Sequence, residues 1–327
     1  MIASRAEALR RALGARVAQG FFEGASRLGG LHPRARPEAH GVEVIRNVPY
    51  DPSHPARRLD VWRPPAVVAG ATAPALLYVH GGGFRILSKE THWVMALSFA
   101  RRGFVVFNID YRLAPRHPFP AAVEDAAAAY AWVVAHAKEY GADVSRLVLA
   151  GESAGANLVA ALTVAACFER PEPHARAVFD TGVVPRAVLP ACGIHQVTDP
   201  ERFRRRKPTL PRVIADRIDE VSHGYLGAAH RPGPAPDPAL DLADPVRVFE
   251  RGEAPARPLP PAFLTCGTAD PILDDTRRLH AALVRLGADA EAKYYPGEPH
   301  AFHALVFREA ARRHWRDTWD FLDRHGL

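Results

Sequence analysis

Ser153 lies in the segment Gly151-Glu152-Ser153-Ala154-Gly155. A serine hydroxyl is a weak nucleophile until it is presented in the open beside a base that takes its proton. The flanking sequence has the character needed to present it. An apolar, strand-like run, Leu147–Ala150, precedes the segment, and a helix-like run from Ala156 to Phe168 follows it. Gly-x-Ser-x-Gly at a strand-to-helix turn is the pattern of a nucleophile elbow. A turn that sharp brings neighbouring backbone close, so small residues are needed on both sides of the serine.

Three further groups have the chemistry to serve such a serine. His80-Gly81-Gly82-Gly83-Phe84 follows the fully apolar stretch Ala75–Val79. Glycines after a buried strand let backbone N–H groups approach a developing oxyanion unobstructed, and one such donor is worth roughly 3 kcal/mol of transition-state stabilisation. An acid follows a later strand. Asp270 opens the turn, and Asp274 and Asp275 stand on the same turn as rivals, or as helix N-terminal acids held by the dipole. A histidine follows the last strand: His300, with His303 as an alternative base. His300 and His303 together also have the spacing of a metal pair, without a third ligand at suitable spacing.

The elements that must position these groups are readable from hydrophobic patterning. Leu9, Leu13, Val17 and Phe21 fall at helical spacing within residues 4–24. Val42–Val48 and Arg58–Trp62 read as an antiparallel edge pair. Ala75–Val79, Phe104–Ile109, Leu147–Ala150, Ala187–Leu189, Pro261–Cys266 and Ala290–Tyr295 are strands, alternating with helices at Thr91–Arg102, Ala121–Tyr140, the run after Ser153, Thr276–Leu286 and the C-terminal segment to Arg324. That alternation predicts a mostly parallel sheet with helices on both faces. Residues 195–235 break it. They carry the basic run Arg202–Lys207, read as a solvated face, a helix at Val213–Tyr225 and a proline-rich end. This insertion and the N-terminal 1–40 are expected to pack together as a helical cap over a single domain, 1–327. His80 and Glu152 are expected to be structural, bracing the glycine loop and the elbow. Phe84, Trp93, Phe203 and Tyr225 are candidate pocket walls.

Composition narrows the class. In 327 residues, 48% are hydrophobic and 24% charged, ordinary for a globular protein with its own core. The net charge of +6 comes from scattered arginines, so no nucleic-acid partner is expected. Cys167, Cys192 and Cys266 form no paired spacing and read as buried thiols in a reducing, cytoplasmic compartment. No apolar run is long enough for a membrane span.

The chain order Ser…Asp…His is that of the α/β-hydrolase fold. Four motifs, spread over residues 75–305, carry a closer resemblance: His80–Phe84, the stretch Tyr111-Arg-Leu-Ala-Pro115 with its continuation to Ala122, Gly151–Gly155, and Asp270-Pro-Ile-Leu-Asp274 with His300-Ala-Phe302. With these the chain resembles the hormone-sensitive-lipase-like esterases, the bacterial family IV carboxylesterases. The resemblance implies an eight-stranded, mostly parallel sheet and a serine carboxylesterase for short- to medium-chain acyl esters. It implies Ser153 as nucleophile, His300 as base, Asp270 as its orienting acid, and the N–H groups of Gly82, Gly83 and Ala154 as the oxyanion hole. Phe84 is carried as a substrate contact. The partner is a small-molecule ester; no metal or organic cofactor is required, and a homodimer is compatible. Two departures stand out. Glu152 occupies the position before the serine where aspartate is usual, and Arg116 follows the Tyr-Arg-Leu-Ala-Pro stretch where glutamate is usual. The same triad also serves hydrolases of amides, lactones or carbamates. Non-catalytic ligand-binding relatives lack the histidine that is present here.

Overall fold

The computed structural model describes residues 19–20, 23–24, 26–228 and 237–327. The helix expected over residues 4–24, with Leu9, Leu13, Val17 and Phe21, lies outside the described residues for most of its length, and so does the cap pairing built on it.

Eight strands form one sheet: β1 (Glu43–Pro49), β2 (Arg58–Arg63), β3 (Ala73–Val79), β4 (Val105–Ile109), β5 (Ala142–Glu152), β6 (Ala187–Ala191), β7 (Ala262–Gly267) and β8 (Ala290–Tyr295). Their spatial order is β1-β2-β4-β3-β5-β6-β7-β8. β1 and β2 are antiparallel to their neighbours, and β3 to β8 run parallel. The expected edge pair is therefore present, and the parallel part carries every motif singled out above. The helices that cover the sheet are α1 (Trp93–Arg102), α2 (Ala121–His136), α3 (Ala154–Cys167), α4 (Pro173–Asp180), α5 (Glu201–Arg206), α6 (Arg212–Leu226), α7 (Pro245–Arg251), α8 (Leu273–Arg285) and α9 (Glu309–Arg324).

Successive strand residues feed two cores, because side chains alternate across a sheet. Leu77, Val79, Val105, Phe107 and Leu149 pack toward α2, α3 and α8. Leu76, Tyr78, Val106, Val148 and Ala150 pack toward α1 and α9. A sheet covered on both faces explains why β3, β4 and β5 read as continuous apolar runs. Helix α3 is buried along its whole length, which fits a helix that is apolar on every side.

The insertion after β6 seats on the rest of the molecule through α5 and α6. Tyr225 of α6 stacks on Phe84 with ring centroids 3.7 Å apart, its carbonyl accepts the Phe119 N–H at 2.6 Å, and Glu220 pairs with Arg85. The basic run is a solvated face only in part: Arg205, Arg206 and Lys207 are exposed, and Arg202 is not. Arg202 is buried and bonds Asp275 on α8 at 2.5 Å. Arg204 pairs with Asp219, Arg205 with Asp199 and Arg206 with Asp274. The burial of Arg202 could not be read from the sequence, because the acid it pairs with, Asp275, lies 73 residues further along the chain. Among the described residues, no helix is long and apolar enough to cross a membrane.

Candidate active site

Each candidate group sits at the carboxyl end of a parallel strand, where the loops of an open α/β sheet gather. β5 ends at Glu152, and α3 starts at Ala154, so Ser153 alone makes the turn. Its backbone is left-handed, at φ 55° and ψ −116°, and its N–H is held by the Ala191 carbonyl at 2.9 Å. Non-glycine residues adopt positive φ at a cost and only where surrounding structure enforces it. Close approach explains the flanking glycines. A Cβ on Gly155 would lie 2.0 Å from the Val79 carbonyl oxygen.

The His80–Phe84 loop follows β3. Gly82 has φ 111°, and a Cβ there would lie 2.0 Å from the Ile86 carbonyl oxygen. Among the described residues, the Gly82 and Gly83 N–H groups donate to no acceptor. Ala154, at the first position of α3, has no partner within the helix for its N–H. His80 is structural: buried, stacked on Tyr111 at 4.3 Å, with Nδ1 2.6 Å from the Gly81 carbonyl. Burial pushes its pKa down to about 3, so the ring is neutral.

The turn after β7 brings Asp270 to His300. His300 Nδ1 lies 2.7 Å from Asp270 Oδ2, and His300 Nε2 lies 3.0 Å from Ser153 Oγ. Asp270 is also held on its other oxygen by the Ile272 N–H at 2.9 Å, and the Cys266 thiol donates to Oδ2 at 3.3 Å. Burial works to raise the Asp270 carboxyl, but the His300 charge, the hydrogen bond to it and the backbone donor outweigh burial and hold it low. His300 shows the mirror image: burial opposes its charged form, yet the Asp270 carboxylate beside it raises its pKa well above the usual histidine value. The imidazole remains about one-third exposed, at 36%.

The rivals separate cleanly. Asp275 is buried in the bonds to Arg202 and to the His195 and Gln196 N–H groups. Asp274 faces Arg206 and Arg277 on the surface. His303 points away from Ser153, stacking on His314 at 4.9 Å, with Nε2 3.8 Å from Glu152 Oε2. Phe84 has no exposed surface, and its ring sits in the core against Tyr225. Phe203 is buried under the Arg202 guanidinium, and the Trp93 indole bonds Ser26.

Glu152 does more than brace the elbow. Its Oε1 accepts the Gly81 N–H at 2.7 Å and lies 2.7 Å from His92 Nε2, and its Oε2 accepts the Tyr78 hydroxyl. Burial alone would raise this carboxyl. The charges and hydrogen bonds of His92 and His303 win, and its pKa falls well below the ordinary glutamate value. His92 is raised in turn: burial opposes its charge, and Glu152 outweighs burial. One carboxylate thus ties the elbow, the glycine loop, α1 and the turn after His300. The signal in the sequence was the apolar context of Glu152 itself, since a carboxylate between buried strand and buried helix must be paired. Its partners were not readable.

Residues 76–304 match an α/β hydrolase fold family. This chain belongs to that family. It is 31% identical to Esterase LipI of Mycobacterium tuberculosis, over 77% of this chain and 78% of that protein. It is 32% identical to Carboxylesterase NlhH of the same organism, over 77% and 73% of the two chains. An acetyl esterase of Salmonella paratyphi B is 30% identical over 69% of this chain and 64% of its own. Among solved structures, a bacterial heroin esterase superposes with a TM-score of 0.76 at 25% identity, covering 95% of this chain and 91% of that one.

Proposed function

We propose that the protein is a carboxylic-ester hydrolase working through an acyl-enzyme on Ser153, with His300 as base and Asp270 as its orienting acid. The observation that carries the reading is the pair of contacts made by one imidazole, 3.0 Å to Ser153 Oγ and 2.7 Å to Asp270. The esterase relatives supply the reaction class.

In the acylation step Ser153 Oγ attacks the ester carbonyl while His300 Nε2 takes its proton. Asp270 keeps the remaining N–H on Nδ1 and stabilises the imidazolium. The carbonyl oxygen becomes an oxyanion, received by the N–H groups of Gly82, Gly83 and Ala154. The tetrahedral intermediate collapses, the C–O bond to the alcohol breaks, and His300 returns the proton to the leaving oxygen. Water then repeats the sequence against the acyl-enzyme, releasing the acid and restoring Ser153. In this reading the nucleophile, the base, its orienting acid and the oxyanion donors are all supplied by the polypeptide.

The acyl group is short to medium in length. The acetyl esterase among the relatives supports that range, and so does an insertion rich in arginine and proline in place of an apolar lid. Hydrolysis of p-nitrophenyl esters of increasing acyl length, with Ser153→Ala alongside, tests both parts. The rate is expected to peak at short chains and to vanish in the variant. Turnover that survives in Ser153→Ala refutes the nucleophile, and a rate that rises steadily to long chains refutes the acyl range.

A further inference from the structure

The triad has a neighbour that the ester reaction does not use. Cys192 follows β6, directly beside the strand that carries the acid: its N–H donates to the Thr265 carbonyl at 2.7 Å. Cys192 is buried and forms no disulfide, and its thiol is within hydrogen-bonding reach of His300. A ligand atom of Cys192, one of Asp270 and one of His300 all lie within 4.8 Å of one another.

We infer that Cys192, Asp270 and His300 form an inhibitory site for a thiophilic divalent cation of the zinc class, which stops the esterase by occupying its own base and acid. The inference rests on the triad reading above and adds a ligand to it.

The donor set is the reason for the choice of ion. Thiolate, imidazole and carboxylate are the ligands of zinc, at about 2.3, 2.0–2.1 and 2.0–2.2 Å, so neighbouring donors around a tetrahedral ion sit roughly 3.2–3.6 Å apart. Donors already within 4.8 Å reach that spacing by side-chain adjustment, without moving a strand. Magnesium and calcium prefer all-oxygen shells, and a sulfur ligand selects against them. Charge also fits. A thiolate and a carboxylate neutralise a divalent ion, which matters where Asp270 is 5% exposed. The fourth position remains open to water on the exposed edge of His300. The carboxylate is already oriented by the Ile272 N–H and the Cys266 thiol, as metal-binding carboxylates usually are by surrounding donors.

Binding displaces one proton from the Cys192 thiol to solvent, and no electron moves. Either imidazole nitrogen that takes the ion disables catalysis. Ligation at Nδ1 replaces the Asp270–His300 hydrogen bond, and ligation at Nε2 uses the lone pair that receives the Ser153 proton.

The test titrates Zn2+ against ester hydrolysis in the full chain, reading each variant relative to its own metal-free rate. The wild type is expected to lose activity, and a chelator to restore it. Mg2+ is expected to have no effect at the same concentration. Cys192→Ser is expected to need about tenfold more Zn2+ or beyond. A second readout needs neither activity nor that variant. One equivalent of Co2+ added to Ser153→Ala is expected to give a thiolate-to-metal charge-transfer band, lost when Cys192→Ser is combined with it. Equal inhibition of wild type and Cys192→Ser overturns the site. So does the absence of a thiolate band in Ser153→Ala, or a band that survives loss of Cys192. Esterase activity persisting in metal-free Ser153→Ala would sink the triad reading instead, a separate outcome, leaving the Co2+ band to judge the metal site by itself.

Discussion

Replacing Glu152 by glutamine isolates what its charge does. The amide keeps a carbonyl where Oε1 accepts the Gly81 N–H at 2.7 Å, but it removes the negative partner of His92 and of the Tyr78 hydroxyl. All of these groups are buried: Glu152 is 3% and His92 8% exposed. Breaking a buried ion pair from one side costs about 3–5 kcal/mol, because the remaining partner must shed its charge or stay unpaired. The lower figure applies, since His92 can release its proton and keep its bond to the Ser88 carbonyl. Unfolding entropy near 2.1 cal/mol/K per residue gives about 0.7 kcal/mol/K for 327 residues, so a loss of about 3 kcal/mol lowers Tm by about 4–5 °C.

The pH dependence of that deficit has a definite sign. The depressed Glu152 contributes stability that is present above the ordinary glutamate value and lost as pH falls through its lowered folded value. The raised His92 contributes stability that is present below the ordinary histidine value and lost as pH rises through its raised folded value. Both are whole between about pH 4.3 and 6.5. Thermal melts followed by circular dichroism should therefore show the Glu152→Gln deficit in full at pH 5.5 and smaller at pH 9. kcat should fall less than in Glu152→Ala, which removes the Gly81 acceptor as well. A Glu152→Gln melt within about 1 °C of wild type at pH 5.5, or a deficit that grows toward pH 9, would refute the buried ion pair as the clamp.

The acid limb of kcat/KM should have its midpoint above 6.5, because His300 must be neutral to accept a proton and Asp270 holds its pKa up; Asp270→Asn should move that limb to lower pH, and a profile still flat about two units below 6.5 would exclude His300 as the base. Asp270→Asn should lower kcat by about 10⁴ through loss of the correct tautomer, while Asp274→Asn, whose carboxylate faces Arg206 and Arg277, should leave it within about twofold; steady-state kinetics separate the two. Arg202→Met should cost about 2 kcal/mol, read as a Tm drop of about 3 °C, because Asp275 keeps Arg278 and two backbone donors after the guanidinium is gone.

The parts of the site that were legible in the sequence are those in which backbone geometry dictates residue type. Ser153 sits at positive φ between close-packed strands, so small neighbours are obligatory and the pattern survives as a motif. Gly82 has the same explanation, because no side chain fits between its Cα and the Ile86 carbonyl. Parallel strands were legible for a related reason: burial on both faces leaves no polar alternation along Leu76–Val79, Val105–Phe107 or Leu147–Ala150. The pairing of acid and base was legible only through chain order and family resemblance, since nothing local distinguishes Asp270 from Asp275. What stayed hidden is side-chain pairing between distant segments. His92, Tyr78 and His303 converge on Glu152 from three elements, and no spacing in the chain announces it.

The same limit explains the basic run, and the consequence reaches the site. Read along the chain, Arg202–Lys207 has only Asp199 and Glu201 close before it, so a solvated face is the economical reading, and it holds for Arg205, Arg206 and Lys207. In space, Arg202 stacks on Phe203 and reaches Asp275, whose Oδ2 also receives the His195 and Gln196 N–H groups. Asp275 lies five residues after Asp270, on the first turn of α8, and the segment it anchors begins at His195, four residues after Ala191, the β6 end that holds the Ser153 N–H. The insertion is therefore fixed to the exits of β6 and β7, and β6 is the strand that separates β5, which carries the nucleophile, from β7, which carries its acid. A charge pair there serves better than apolar contact. It bonds backbone on one strand's exit and a side chain on the next, so it sets a direction as well as a distance, which hydrophobic burial does not. An acid that looked like a rival for the catalytic role is in this way a determinant of where the catalytic acid stands.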